Sequence, residues 1–226
     1  MREKHGTLFV AGVDNGMSVS VQLHEITGAN DAEEAFIRES VRLLREAVSM
    51  PGFGASVRKA DYGDTQWKGA HGSVRRLSGE EIWQRVQIGQ EAGVTGDHTL
   101  NLSIAIEELP GPDSDRDGPP VIGATELGTL PIRTARWFLS QCVIAGDHVN
   151  MAAHLMHQWM HVSGFVHGAD GHDSRDAPAV LGRLVRRALE WNYGDRIDAE
   201  ITAMLIGGHT GCSCKLPAER TQTAPA

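Results

Sequence analysis

No apolar run in this chain is long enough to cross a bilayer, and the stretch from Met1 to Ala11 joins a charged start to only a brief apolar run. Neither a transmembrane segment nor a signal peptide is read, and the expected location is cytoplasmic, or secreted if a leader has been trimmed. Lysine and arginine form no block anywhere, and a net charge of -8 argues against nucleic acid as the main partner. Cysteine is scarce: three among 226 residues cannot build an even-numbered disulfide framework. Cys142 lies in an apolar run and reads as a buried thiol. Cys212 and Cys214 stand near His209, but Cys-x-Cys is too close for the usual structural-zinc hairpin, so free thiols are a simpler reading than a second metal site. There is no internal repeat.

What is present suits one α+β domain over residues 1–215, sheet-rich to about residue 163 and mainly helical after it, with a polar, disordered tail at 216–226. Val10 to Leu23 alternates as a strand, and Asp31 to Met50 carries Phe36, Ile37, Val41, Leu44 and Val48 at helical spacing. Gly52 to Gly72 reads as loop around a short strand near Val57. Ser78-Gly79-Glu80-Glu81 is a capping box opening a helix with Ile82, Trp83 and Val86 inward. Leu100, Leu102, Ile104 and Ile106 alternate as a half-buried strand. Leu109 to Pro120 is a Pro/Gly/Asp loop, and Val121–Thr125 and Ile132–Leu139 read as strands, the second led by Pro131 and so placed at an edge. Asp147 is the expected N-cap of a helix from His148 to Ser163, Asp176 of one from Ala177 to Trp191, and a last helix runs from Ile197 to Ile206.

The most informative segment is His157-Gln158-Trp159-Met160-His161-Val162-Ser163-Gly164-Phe165-Val166-His167. On a helix, His157 and His161 lie one turn apart on one face, so two imidazoles converge on one cation. Gly164 permits a sharp left-handed bend that ends the helix and swings His167 round as a third ligand. A fourth position is then open. Three neutral imidazoles suit Zn²⁺, although such a set also accepts Cu, Ni or Fe. The bland alternative, three unconnected histidines, has to explain their spacing around a turn glycine by chance.

Residues 157 to 167 resemble the zinc-binding stretch of the metzincin clan of metallopeptidases, within the wider zincin group, with Gln158 where that signature has Glu. The resemblance implies a mixed twisted sheet over an active-site helix, one Zn²⁺ held by His157, His161 and His167, and Gly164 as the turn glycine. It places Gln158 at the general-base position. Of the clan's other features, the methionine-bearing turn has Met204 as its only downstream candidate, inside an expected helix rather than a turn, and Tyr193 stands where a transition-state tyrosine would be sought. The strand Leu100–Glu107 takes the place of the edge strand along which a peptide or protein substrate pairs.

The activity implied is zinc-dependent hydrolysis of peptide bonds. An adjacent Glu takes up and returns a proton in such sites; Gln does neither near neutral pH, although its amide still hydrogen-bonds. Loss of a general base costs on the order of 10² to 10⁴ in rate. Two histories fit: an introduced inactivating residue, or a natural pseudopeptidase that uses a metal-containing cleft to bind peptide or protein. A metal-dependent hydrolase of a different amide is a third reading. Beyond the ligands, Asp173 and Asp176 are candidates to orient a ligand histidine, in a loop with Asp170 and His172 whose spacing fits no calcium loop. His154, one turn before His157, reads first as a buried neighbour and second as a further ligand. Met156, Trp159 and Met160 read as core.

Overall fold

Three strands far apart in sequence form one side of the main sheet in the computed structural model, which describes residues 19–63, 66–68, 74–91, 95–114, 119–167, 175–206 and 211–212. They are β1 (Ser20–Thr27), β4 (Thr99–Glu107) and β6 (Ile132–Ala135), all parallel. Beyond β6 lies β5 (Val121–Gly123), antiparallel to it, and beyond β5 lies β8 (Gly211–Cys212), parallel to β5. The order is β1-β4-β6-β5-β8, a mixed sheet. A second, small sheet joins β3 (Val74–Arg76), β2 (Gln66–Lys68) and β7 (Phe165–Val166). The coarse class is α+β.

This order corrects two expectations. The strand at Leu100–Glu107 is not an edge: β4 is paired by β1 over Thr99–Ala105 on one side and by β6 over Ile104–Glu107 on the other, so it is an interior strand. β6 is not an edge either, despite Pro131 in front of it, because the proline precedes the first paired residue and removes no ladder donor. Two short strands, β7 and β8, follow residue 163 and join the small and the main sheet respectively.

Helix α1 (Asp31–Ser49) starts on a capping box: the Asn30 side chain accepts from the Ala32 and Glu33 amides, and Glu33 Oε2 accepts from the Asn30 amide at 2.9 Å. Its apolar stripe, Phe36, Ile37, Val41, Leu44 and Val48, is buried. The expected strand near Val57 is instead helix α2 (Phe53–Lys59). Phe53 and Val57, one turn apart, are both buried, and Phe53 meets Trp83 edge-on at 6.2 Å, so packing overrides the β preference of valine. Trp83 lies on α3 (Gly79–Gln87), capped by Ser78 and Glu81 as the sequence predicts. The strand expected over Ile132–Leu139 stops at Ala135. Arg136–Ala145 forms α4, which buries Phe138, Leu139 and Cys142 on one face.

Helix α5 (His148–Val162) is the hub. Asp147 caps it through the Asn150 amide at 2.8 Å, while its other oxygen accepts from Asn150 Nδ2 and from the Asp198 amide at 2.8 Å. One buried carboxylate thus ties the start of α5 to that of α7 (Ala199–Ile206). Apart from His148 and His157 every residue of α5 is buried, as expected of a helix enclosed on all sides. It is flanked by α1, α4, α6 (Ala177–Tyr193), α7, β6 and β7. A continuous buried cluster runs from Val19 to Ile201. Among the described residues no helix is long and apolar enough to cross a membrane. The Pro/Gly/Asp stretch contains no helix or strand in its described part, and the tail at 216–226 lies outside the described residues.

Candidate metal centre

His157 and His161 project from one face of α5 with ring centroids 5.2 Å apart. His167 closes the triangle, 5.3 Å from His157 and 4.8 Å from His161. One nitrogen from each ring lies within 4.8 Å of the others, close enough for all three to share a metal ion. Among the described residues this is the one such cluster.

The bend that delivers His167 is built by Gly164 and braced from outside. Gly164 has φ +95°, where an L side chain is strained, and a Cβ there would stand 2.9 Å from both Lys68 O and Trp67 Nε1. The same two residues hold the turn: Trp67 Nε1 donates to Ser163 O at 2.9 Å, and the Lys68 amide donates to Gly164 O at 2.9 Å. Phe165 then pairs with Trp67 across β7 and β2, which fixes the direction of the chain into His167.

Two of the three rings have their tautomer set by their partners. His161 Nδ1 is 2.7 Å from Phe165 O, an acceptor only, so Nδ1 carries the hydrogen and Nε2 keeps its lone pair. His167 Nδ1 is 2.5 Å from Asp176 Oδ2 and is likewise the donor. The other oxygen of Asp176 accepts from the Ala179 amide at 2.9 Å as the N-cap of α6, and the residue is almost fully buried. Burial holds His161 well below the ordinary histidine pKa, and the neighbouring His167 adds to the shift. A neutral, lone-pair-bearing imidazole is the form that binds a metal. The residues present therefore fit a divalent cation held by three nitrogens, with hydrogen bonds behind two of them.

Gln158, next in sequence to His157, is fully buried. Its amide lies beneath β5: a Cβ added at Gly123 would be 2.4 Å from Gln158 Nε2 and 2.9 Å from His154 Cε1. His154 is buried against Phe138, with Nε2 3.1 Å from Thr134 Oγ1 on β6, and burial pushes its pKa down to about 3. It stands apart from the three-histidine cluster. Helix α5 thus meets Gly123 of the sheet through Gln158 and His154, at a strand position where only glycine fits. The contact of Gly123 with Gln158 was not legible from sequence, and neither was the bracing role of Trp67.

Other expected site residues fall elsewhere. Tyr193 ends α6, about 25 Å along that helix from Asp176 at 1.5 Å per residue, and its hydroxyl donates to Glu46 at 2.8 Å, so it anchors α6 to α1 and takes no part in the centre. Met204 lies within α7, in helical rather than turn conformation, and so forms no methionine turn. Asp173, together with Asp170, His172, His209 and Cys214, lies outside the described residues, and of Cys212 only the backbone pairing in β8 is described. No family model, curated protein or solved structure matches this chain.

Proposed function

We propose that the chain is a zinc-metallopeptidase-type hydrolase of metzincin character whose general-base position is held by Gln158, so that it retains metal and peptide but turns over very slowly. The observation carrying this reading is the convergence of His157, His161 and His167, with Gln158 next in sequence to the first of them. Zinc bound there supplies Lewis acidity, polarising a carbonyl and acidifying water. His161 and His167 are held in orientation by Phe165 O and Asp176, so both present Nε2 without rearrangement. Gln158 offers a donor and an acceptor but has no proton to exchange near neutral pH.

One observation favours a second reading, a catalytically silent metal-containing module for peptide or protein binding. The Gln158 amide is enclosed under Gly123 with no space to spare, a fit suited to a neutral side chain as a permanent resident.

The test is metal analysis and peptide cleavage in two variants. Purified wild-type protein carries one zinc, and His161→Ala lowers that content while circular dichroism reports an unchanged fold. Gln158→Glu gains zinc-dependent cleavage of a mixed peptide library, by about 10² or more, and a chelator abolishes it. A folded, zinc-loaded Gln158→Glu protein without cleavage rejects the hydrolase and leaves the binding module. Unchanged metal content in His161→Ala rejects both.

A further inference from the structure

We infer that the cavity lined by His157 between α5 and α6 is a subsite for a carboxylate, so that the ligands taken up at the metal centre are acidic peptides. The inference rests on the peptidase-like reading of that centre and names the ligand class it selects. Asn150 and His157 line the cavity from α5, Gly182, Arg183 and Arg186 from α6, and Leu205 from α7. Its place beside the histidines follows from α6. Asp176 caps that helix and holds His167, and six residues on a Cβ at Gly182 would lie 3.6 Å from His157 Cβ. Arg183 is the next residue, and Arg186 stands one turn past Gly182, about 6 Å along the axis. One cavity is thus shared by His157 and both arginines, and a ligand bound at the histidines can set its next functional group against a guanidinium.

The lining carries two guanidiniums and no carboxylate, in a chain whose net charge is -8. Acidic groups on the flanking elements are engaged elsewhere: Asp176 with His167 and the Ala179 amide, Asp147 with the Asn150 and Asp198 amides. Arg186 approaches Glu190 only to 4.0 Å, too far for a hydrogen bond, and its Nε is buried with no hydrogen-bond partner among the described residues. A carboxylate is the acceptor that matches a guanidinium's planar fork. Asn150 adds a second requirement. Its Nδ2 is spent on Asp147, Thr202 and Asp198 O, while its buried Oδ1 has no partner among the described residues. An acceptor of that kind suits an amide N–H, so a ligand carrying a carboxylate and a peptide N–H answers both groups. The cavity encloses about 30 Å³, which selects a compact polar group over an aromatic side chain.

The experiment measures binding to the full zinc-loaded chain by calorimetry. Acetohydroxamate, which carries no carboxylate, reports the metal centre. Three succinyl hydroxamates of one scaffold report the cavity: one ends in glutamate amide, one in alanine with a free C-terminal carboxylate, and one, neutral, in glutamine amide. In the wild type an acidic probe is expected to bind about tenfold or more tightly than the glutamine probe, because a charge-assisted hydrogen bond goes with the charge. Which of the two acids gains shows whether a side-chain or a chain-end carboxylate is read. In Arg186→Gln and in Arg183→Gln the ratio is expected to fall towards one. Circular dichroism identifies the variants that fold, and a preference that survives in them overturns the cavity as its source. The wild-type comparison needs no variant. Equal binding of all three succinyl probes, with acetohydroxamate bound, overturns the carboxylate subsite and leaves the metal-centre reading standing. If no hydroxamate binds, the peptidase-like reading fails and the inference falls with it.

Discussion

Asp176→Asn is the substitution that most directly probes the centre. Asp176 spends both carboxylate oxygens on donors: Oδ1 on the Ala179 amide that opens α6, and Oδ2 on His167 Nδ1. Asparagine has the same shape but only one oxygen. If that oxygen keeps the cap, the Nδ2 group faces His167 Nδ1 and forces the ring to accept there, which moves its hydrogen to Nε2 and removes the lone pair offered to a metal. If the oxygen keeps the histidine, an amide NH₂ faces the Ala179 N–H and the cap is lost, at about 1 kcal/mol. Either arrangement gives up one of two bonds.

Loss of an oriented partner behind a ligand histidine typically costs 10- to 100-fold in metal affinity, or about 1.4–2.7 kcal/mol. The assay is zinc competition against a chromophoric chelator, alongside thermal melts of the metal-free protein. Asp176→Asn is expected to bind zinc 10- to 100-fold more weakly, with a metal-free stability loss of no more than about 1 kcal/mol. Asp176→Ala, which has no oxygen at all, is expected to lose both. Wild-type zinc affinity and wild-type stability together in Asp176→Asn would refute the two-donor account.

Gly164→Ala is expected to cost about 1–2 kcal/mol from the left-handed backbone alone, with more from the 2.9 Å approaches to Lys68 O and Trp67 Nε1, and to weaken zinc binding as His167 is displaced; an unchanged melting temperature and zinc affinity would show the turn to be slack. His154 provides a pH test. Its folded pKa, near 3, lies below its ordinary value of 6.5, so the folded protein binds fewer protons than the unfolded chain between those values. The associated stability is present above pH 6.5 and is lost as pH falls towards 3. In metal-free His154→Gln the stability curve between pH 6 and 4 should be shallower than wild type by up to about 1.4 kcal/mol per pH unit, and parallel curves would count against a buried neutral imidazole.

What the sequence determined by itself is local. Ser78 and Glu81, Asp147 and Asp176 mark helix starts because capping is a matter of a few neighbouring backbone groups, and the stripe on α1 follows from helical period alone. The histidine triad was legible for the same reason: two histidines one turn apart and a glycine three residues on define a geometry within eleven residues. Asp176 was within reach only as one of two candidates, with Asp173, to orient a histidine of the triad; its bond to His167 comes from the structure.

Tertiary structure alone decided the rest. Alternation identifies Leu100–Glu107 as a strand but not its neighbours, and those neighbours, contributed from residues 20 and 132 onward, make it interior rather than an edge. Tyr193 and Met204 follow the histidines at a plausible sequence distance, yet α6 carries Tyr193 to Glu46 and α7 keeps Met204 helical. The contacts that shape the centre come from Trp67 and Lys68 under the Gly164 turn and from Gly123 over Gln158, residues some 35 to 100 positions away. Sequence spacing specifies which side chains share a face. Which other segment meets that face is set by strand pairing and core packing across the whole chain, and no local pattern encodes it.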